Sequence, residues 1–316
     1  MTLDAHVRTL GRGPGRSRSL TQEEAADAMR LMLEENTAPE AIGALLMLLR
    51  MKGEVPEEIA GFTQAAQDAL ETVPDADLDW PSYAAGRTRG QPYFLLSARL
   101  VALAGHRVLL HGWNGPDPKV RAGLAEAGIP VARTPSEATA YLDAQNIAYL
   151  PLEAFHPRLL HLLRLREVLG LRSCINTVCR MLNPGRAPAG VQGVFHPSYR
   201  SLQTDAAQRL GQKSLTVIKG GGGEFERTPS KDVTAFGLRK GAPWQTVCAA
   251  RVDETRRLAS DQSPSLSDLM TATAPPAFER ETVLGTAVLA LESLGHDNAD
   301  AKATALFDTL RHRNAA

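Results

Sequence analysis

The sequence predicts an α/β protein: a mostly parallel sheet flanked by helices, plus a small all-helical N-terminal domain. Three observations predict it. Residues 1–70 carry only helical signals. From Arg107 onward, short apolar runs alternate with helical stretches, the pattern of a parallel sheet covered on both faces. One such run, Leu215-Thr216-Val217-Ile218-Lys219, breaks directly into Gly220-Gly221-Gly222-Gly223 and then Glu224-Phe225-Glu226. That order reads as a buried strand ending in a loop whose backbone must approach something closely. Glycine-rich loops after strands are where α/β proteins place phosphate-binding N–H groups, and a flexible surface turn accounts for the glycines equally well. No Gly-Lys-Ser/Thr follows, so a P-loop is excluded. Arg227-Thr228-Pro229 follows in place of a helix-forming run, which fits a dinucleotide fingerprint poorly.

The elements follow in order. Leu10 to Arg18 is a Gly/Arg-rich loop or basic arm with little helical tendency. Thr21 opens a helix, with Glu24 three residues on completing a capping box. Ala25, Met29, Met32 and Leu33 supply its apolar stripe. Thr37-Ala38-Pro39-Glu40 repeats the device before a helix from Ala41 to Met51, which is apolar nearly all round and stopped by Gly53. Such a helix is deeply buried or meets a partner helix. Pro56 starts another that runs to Leu70. The helical domain therefore spans residues 1–72 and the α/β domain 73–316, with Val73 to Asp79 as linker. Strands are expected at 107–112, 129–131, 147–150, 191–195 and 215–218. Helices are expected at 119–128, 136–144, 156–169 and 198–210. Residues 246–257 and 279–313 read as helical. Ligands in such sheets sit at the carboxyl ends of strands, which places His111-Gly112 and Gly220–Gly223 on the candidate rim.

Composition narrows the function. The chain has 316 residues, enough for a sizeable core, with 43% hydrophobic and 22% charged residues. No apolar run approaches the ~20 residues that span a bilayer. The opening Met1–His6 carries no apolar signal region, so the expected compartment is the cytoplasm. Cys174, Cys179 and Cys248 are too few for a disulfide framework and are expected as reduced, buried thiols. The zero net charge is unevenly spread: residues 21–80 hold 14 acids against three bases, and residues 81–200 hold 14 bases against six acids. A basic segment of this kind suits a phosphate-rich partner.

A set of short signatures then points to a family. His156-Pro157, Arg166-Glu167-Val168-Leu169-Gly170-Leu171-Arg172-Ser173, Asn176, Leu182-Asn183-Pro184 and Gln192-Gly193-Val194 occur in this order after a helical unit. The combination resembles the glycosyltransferase family that includes anthranilate phosphoribosyltransferase and the pyrimidine nucleoside phosphorylases, over roughly residues 5–245. The resemblance implies that fold, a dimer formed through the helical domain, and a site for phosphoribosyl pyrophosphate and magnesium.

The donor-site motifs depart from the family. Its Gly-Thr-Gly-Gly-Asp loop is replaced by Gly86-Arg87-Thr88-Arg89-Gly90, and Gln91 to Leu96 stands where an Asn-x-Ser-Thr phosphate segment would. Leu110-His111-Gly112-Trp113 has a leucine in place of the phosphate-binding lysine. Phe225-Glu226 lacks one of the adjacent acids that hold magnesium, and Glu224 shares a face with Glu226 only if the segment is extended. Losing one such preorganised donor costs about 3–4 kcal/mol of transition-state stabilisation. Ordinary phosphoribosyl transfer is therefore not expected, and neither is a cofactor or bound metal. The degenerate donor loops comprise Gly86, Thr88, Gly90, His111, Gly112, Gly222, Gly223 and Glu226.

The pattern is similar to the YbiB group, a branch with the fold but without the phosphoribosyltransferase site. That resemblance implies a homodimer that binds DNA or RNA without sequence preference in a basic groove, and no membrane partner. The expected phosphate contacts are Arg12, Arg16, Arg18, Arg87, Arg89, Lys119, Arg121, Arg158, Arg164 and Arg166, with Tyr93, His111 and Trp113 as candidate stacking rings. Structural roles compete at several of these positions: salt bridging for Arg166 and Arg172, a packed loop for His111 and Trp113, and a turn or cap for His156. The alternative function is a phosphoribosyl or glycosyl transferase using phosphoribosyl pyrophosphate and magnesium on an unknown acceptor. A third is a catalytically inactive fold that binds another protein.

Overall fold

The computed structural model describes residues 2–72, 74–83, 90–115, 118–256 and 263–315. Four helices open the chain: α1 (Leu3–Gly11), α2 (Gln22–Leu33), α3 (Pro39–Lys52) and α4 (Pro56–Asp68). Helix α1 corrects the reading of a basic arm. Leu3, His6 and Leu10 lie on its buried face, so the Gly/Arg segment begins inside a helix and becomes a turn only from Arg12. The capping box of α2 forms as expected, Glu24 N–H donating to Thr21 Oγ1 and Thr21 N–H to Glu24 Oε2. The second device does not form. The Thr37 hydroxyl donates back to Leu31 O, and Ala38 precedes Pro39 without a side-chain cap. Helix α3 buries Ile42, Leu45, Leu46 and Leu49, and its end leaves Met51 81% exposed.

The sheet comprises β1 (Leu78–Ser82), β2 (Val108–Gly112), β3 (Ile147–Pro151), β4 (Ala189–Val194), β5 (Ser214–Lys219), β6 (Val233–Arg239) and β7 (Ala242–Cys248). Their order is β3-β2-β1-β4-β5-β6-β7, parallel from β3 to β5 and antiparallel beyond. Helices α5 (Phe94–Leu103), α6 (Pro118–Glu126), α7 (Pro135–Gln145), α8 (Leu152–Phe155), α9 (Pro157–Arg164), α10 (Arg166–Leu169), α11 (Ile175–Met181) and α12 (Tyr199–Arg209) connect the strands. Helices α13 (Leu266–Thr271), α14 (Ala277–Ser293) and α15 (Ala299–Ala315) close the chain. The stretch at 129–131 forms only an isolated bridge from Val131 to Tyr149.

Two elements overturn the sequence reading. The central strand β1 lies where the end of a linker was expected. It contains Asp79 and Pro81, both poor strand residues, but its ladder with β4 ends at Asp79 and leaves that edge of the strand unpaired beside the proline. Residues 242–248 form an edge strand rather than the start of a helix. Lys240 (φ 54°) and Gly241 (φ 80°) make the two-residue, left-handed hairpin turn that joins β6 to β7.

One apolar cluster covers one face of the sheet with α5, α14 and α15 and includes Trp80, Phe94 and Phe225. A second unites the four N-terminal helices with α9, α11 and α12 and includes Phe62, Leu162, Val178 and Val217. The chain order reverses between β1 and β4, so the switch-point crevice opens at the ends of these two strands, at Ser82-Tyr83 and Val194-Phe195. Among the described residues, no helix is long and apolar enough to cross a membrane. Cys174 and Cys179 are buried free thiols, and Cys248 is a half-buried one.

Candidate functional site

At the crevice, the loop after β5 turns inward. Gly220 N–H donates to Val194 O, Gly221 N–H to Glu226 O, Gly223 N–H to Gly220 O and Glu224 N–H to Gly221 O. Three of the four glycine N–H groups are thus engaged within the protein, which counts against the phosphate-cradle reading of the tetraglycine. Gly222 (φ 65°) and Gly223 (φ 90°) take left-handed conformations to complete the turn. A Cβ on Gly220 would lie 1.7 Å from Glu224 O, so glycine is required there for close backbone packing.

The three residues after the glycines then point to different partners. Phe225 is fully buried edge-to-face on Trp80, with ring centroids 5.4 Å apart. Glu224 Oε1 accepts from Ser82 Oγ at 3.1 Å. Asn114 Nδ2 donates to the same hydroxyl at 3.2 Å, and the Tyr149 hydroxyl donates to Asn114 Oδ1 at 2.5 Å. Glu226 Oε2 accepts from Phe94 N–H at 2.9 Å. The first turn of α5 therefore carries a buried carboxylate on its positive end. That is the helix terminus that follows the Gly86–Gly90 segment.

The described residues do not fit the pyrophosphate and magnesium implied by the family resemblance. A carboxylate already occupies the α5 terminus, Phe225 belongs to the core, and Leu110 is a fully buried strand residue. Glu224 accepts from Ser82 and Glu226 from Phe94 N–H. Among the described residues, no group of three or more His, Cys, Asp or Glu side chains converges on a metal position.

A different set of charges does converge. A cavity of about 300 Å³ at the ends of α3, α10 and β4 is lined by Arg50, Arg172, Arg180, Asn176, Phe195 and Tyr199. Arg180 is buried, donating to Asn176 Oδ1 at 2.5 Å and Tyr83 O at 3.4 Å. Burial disfavours its charge, and the Glu224 carboxylate partly restores it. Burial also lowers the pKa of Arg172, and repulsion from Arg166 and Arg50 lowers it further. Arg166 stacks over the Trp113 ring at 5.3 Å. An anion entering this cleft relieves the mutual repulsion of the guanidinium groups.

The residues singled out from sequence are dispersed. Arg12 and Arg16 are exposed on the α1–α2 turn. Arg18 makes a two-pronged contact with Glu24 at 2.6 and 2.7 Å. Lys119 and Arg121 lie on α6, Arg121 pairing with Glu153 at 2.5 Å. Arg158 donates to the carbonyls of Met32 and Glu34, and Arg164 pairs with Glu167. Gly86, Arg87, Thr88 and Arg89 lie outside the described residues, and Gly90 is buried. Of the stacking candidates, Tyr93 and His111 are buried and Trp113 is half-buried. The Tyr93 hydroxyl donates to Pro264 O at 2.6 Å, and Arg166 covers Trp113. His111 is buried between Tyr83 and Asp79, with Gly112 behind it at the end of β2.

His156 serves as a cap: its Nδ1 accepts from Leu159 N–H, and its Nε2 sits 3.2 Å from Ala66 O. Sequence reasoning missed Ser82, Asn114, Arg50, Arg180 and Phe195. Asn114, one residue beyond the altered Leu110–Trp113 motif, carried the available signal.

Comparison with known proteins places the chain. Residues 6–70 match the helical bundle domain of the glycosyl transferase family, and residues 95–242 match its α/β domain. An anthranilate phosphoribosyltransferase of Desulfitobacterium hafniense is 30% identical over 228 residues, covering 71% of this chain and 68% of that protein. The chain belongs to the anthranilate phosphoribosyltransferase family. The enzyme of that name from Geobacillus kaustophilus is 25% identical over 229 residues, covering 71% of this chain and 68% of its own length. That of Halobacterium salinarum is 34% identical over 211 residues, covering 64% of this chain and 62% of its own length. Among solved structures, anthranilate phosphoribosyltransferase from Thermus thermophilus superposes with a TM-score of 0.81 at 20% identity, covering 99% of this chain and 95% of that one. The Saccharomyces cerevisiae protein in complex with PRPP and Mg superposes at 0.73 with 16% identity, covering 99% and 94%. Both share the anthranilate phosphoribosyltransferase fold.

Proposed function

We propose that this member of the family binds nucleic acid through its phosphate backbone, without sequence preference, on a fold whose donor site no longer serves catalysis, as in the YbiB group. The observation that carries the reading is the cleft of Arg50, Arg172 and Arg180 beside a donor-site helix already capped by Glu226. Guanidinium groups gathered at one crevice meet the need of a backbone reader, positive charge facing phosphates, whatever the base sequence. Arg12 and Arg16, exposed on the α1–α2 turn, are further phosphate contacts in this proposal. Residues 1–72 supply the contact to a second copy, through the outer face of α3 that ends at Met51. A salt-titrated binding assay on short DNA and RNA tests the reading. The expected result is tight binding at low salt and a steep linear fall of log K with log salt. Absent or salt-independent binding overturns it.

A second reading is a transferase acting on phosphoribosyl pyrophosphate. The names of the relatives favour it, as does the PRPP and Mg bound by the yeast protein of the same fold. It requires saturating phosphoribosyl pyrophosphate with Mg²⁺ to raise the melting temperature. An unchanged melting temperature removes this reading.

A further inference from the structure

The loop from β4 to α12 separates the arginine cleft from a second cavity of about 720 Å³. Phe195 and His196 face the first, and Pro197 and Arg200 line the second. Lys219, at the end of β5, and Lys231 also line the second cavity. Both lysines are exposed, and among the described residues neither forms an ion pair. Arg200 is held over the Phe236 ring at 4.5 Å and donates to the carbonyls of Pro197 and Thr234, so its charge is fixed in place without being neutralised. Arg256 answers Glu254 and Glu279 and adds little net charge. The Asp232 carboxylate accepts from Ala250 N–H at 2.9 Å. The cavity is thus cationic overall.

Phe195 stands on the divide with 58% of its surface exposed, braced edge-to-face by His196 at 5.0 Å. A large aromatic ring left in water costs solvation free energy unless something covers it. The ring lines the arginine cleft, and the lining of the second cavity begins two residues on, at Pro197.

We propose that the two cavities and Phe195 form one track for a single-stranded nucleic acid. A base stacks on Phe195, with neighbouring phosphates on the Arg50–Arg172–Arg180 side and on the Arg200–Lys219–Lys231 side. This rests on the nucleic-acid reading above and adds strand preference to it. A duplex keeps its base faces stacked inside and has none to offer the ring, whereas an unpaired base does.

Fluorescence anisotropy with labelled oligothymidine, oligouridine and a mixed-sequence duplex tests the track on the full chain. Phe195→Ala should weaken oligothymidine binding about 5- to 100-fold while leaving duplex affinity and the salt slope unchanged. Phe195→Trp should restore it. The double variant Lys219→Ala/Lys231→Ala should flatten the single-strand salt slope by about 1.4, at ~0.7 for each phosphate that is no longer neutralised. The tighter of the two single strands names the natural occupant as DNA or RNA. All of these side chains are exposed, so the variants should melt like the parent. Equal loss on single strand and duplex, no loss in Phe195→Ala, or an unchanged slope in the lysine variant overturns the track. Should the parent itself show no salt-dependent binding, the nucleic-acid reading falls first. Should the parent bind and the variants match it, the track alone falls.

Discussion

At the scale of single residues, Phe225 separates this chain from the enzymes it resembles. A position where the resemblance asks for a metal-binding acid is filled by a ring at the centre of the core, edge-on to Trp80. Restoring the acid is therefore not a small change. Phe225→Asp removes a buried aromatic, at about 3–5 kcal/mol for truncation alone, and adds a charge that burial penalises further. The expected outcome is a large drop in the denaturation midpoint with no gain of thermal stabilisation by Mg²⁺, read by denaturant titration and melting. A variant as stable as the parent would show that the ring is not structural. Phe225 at this place was legible in the sequence. That Glu226 caps α5 was not, because its partner Phe94 lies 132 residues away.

At the scale of elements, local rules succeeded where a helix end is decided by neighbours in the chain. The Thr21–Glu24 box is such a case. Arg18 hydrogen-bonds to Glu24 and holds its carboxyl at about 2, well below the usual carboxylate range. This contribution is fully present above pH ~4.5 and is lost as pH falls through about 2. Arg18→Ala should raise the Glu24 pKa toward its ordinary value in an NMR titration, and an unmoved value would locate the cause elsewhere.

His156 has the opposite chemistry and the same direction in pH. Burial lowers its pKa below 6.5, so the folded chain favours the neutral ring whose Nδ1 caps α9. Stability from this cap is complete above pH ~6.5 and declines as pH falls through the lowered value. His156→Asn keeps a capping acceptor that does not titrate and should flatten part of the loss of melting temperature toward pH 5. His106 and His296, also lowered by burial, keep the remainder. An unchanged pH profile would contradict the assignment.

At the scale of the whole molecule, the proposed nucleic-acid binding turns on where positive charge collects. The acidic excess of residues 21–80 is partly drawn into contacts such as Lys52–Glu58 and Arg18–Glu24. Arg50 remains at the exposed end of α3, facing Arg172 across the cleft. Arg50→Ala/Arg172→Ala should reduce the slope of log K against log salt by about 1.8 on a DNA duplex. An unchanged slope would move the phosphate contacts to another face.

The sequence alone determined the helical N-terminal domain, most of the parallel strands and the family. These are readable because periodicity, caps and short motifs are written in neighbouring residues. It misread β1 and β7, since one carries a proline and an aspartate and the other depends on a hairpin turn at Lys240-Gly241. Only the tertiary structure decided which charges gather. Arg18, Arg158 and Arg164 lie apart from one another, on Glu24, two carbonyls and Glu167, and Arg50, Arg172 and Arg180 line one crevice. The contacts Ser82 to Glu224 and Phe94 to Glu226 join residues 142 and 132 positions apart. No local pattern encodes such pairs, because they exist only once the sheet has brought the ends of β1 and β5 together.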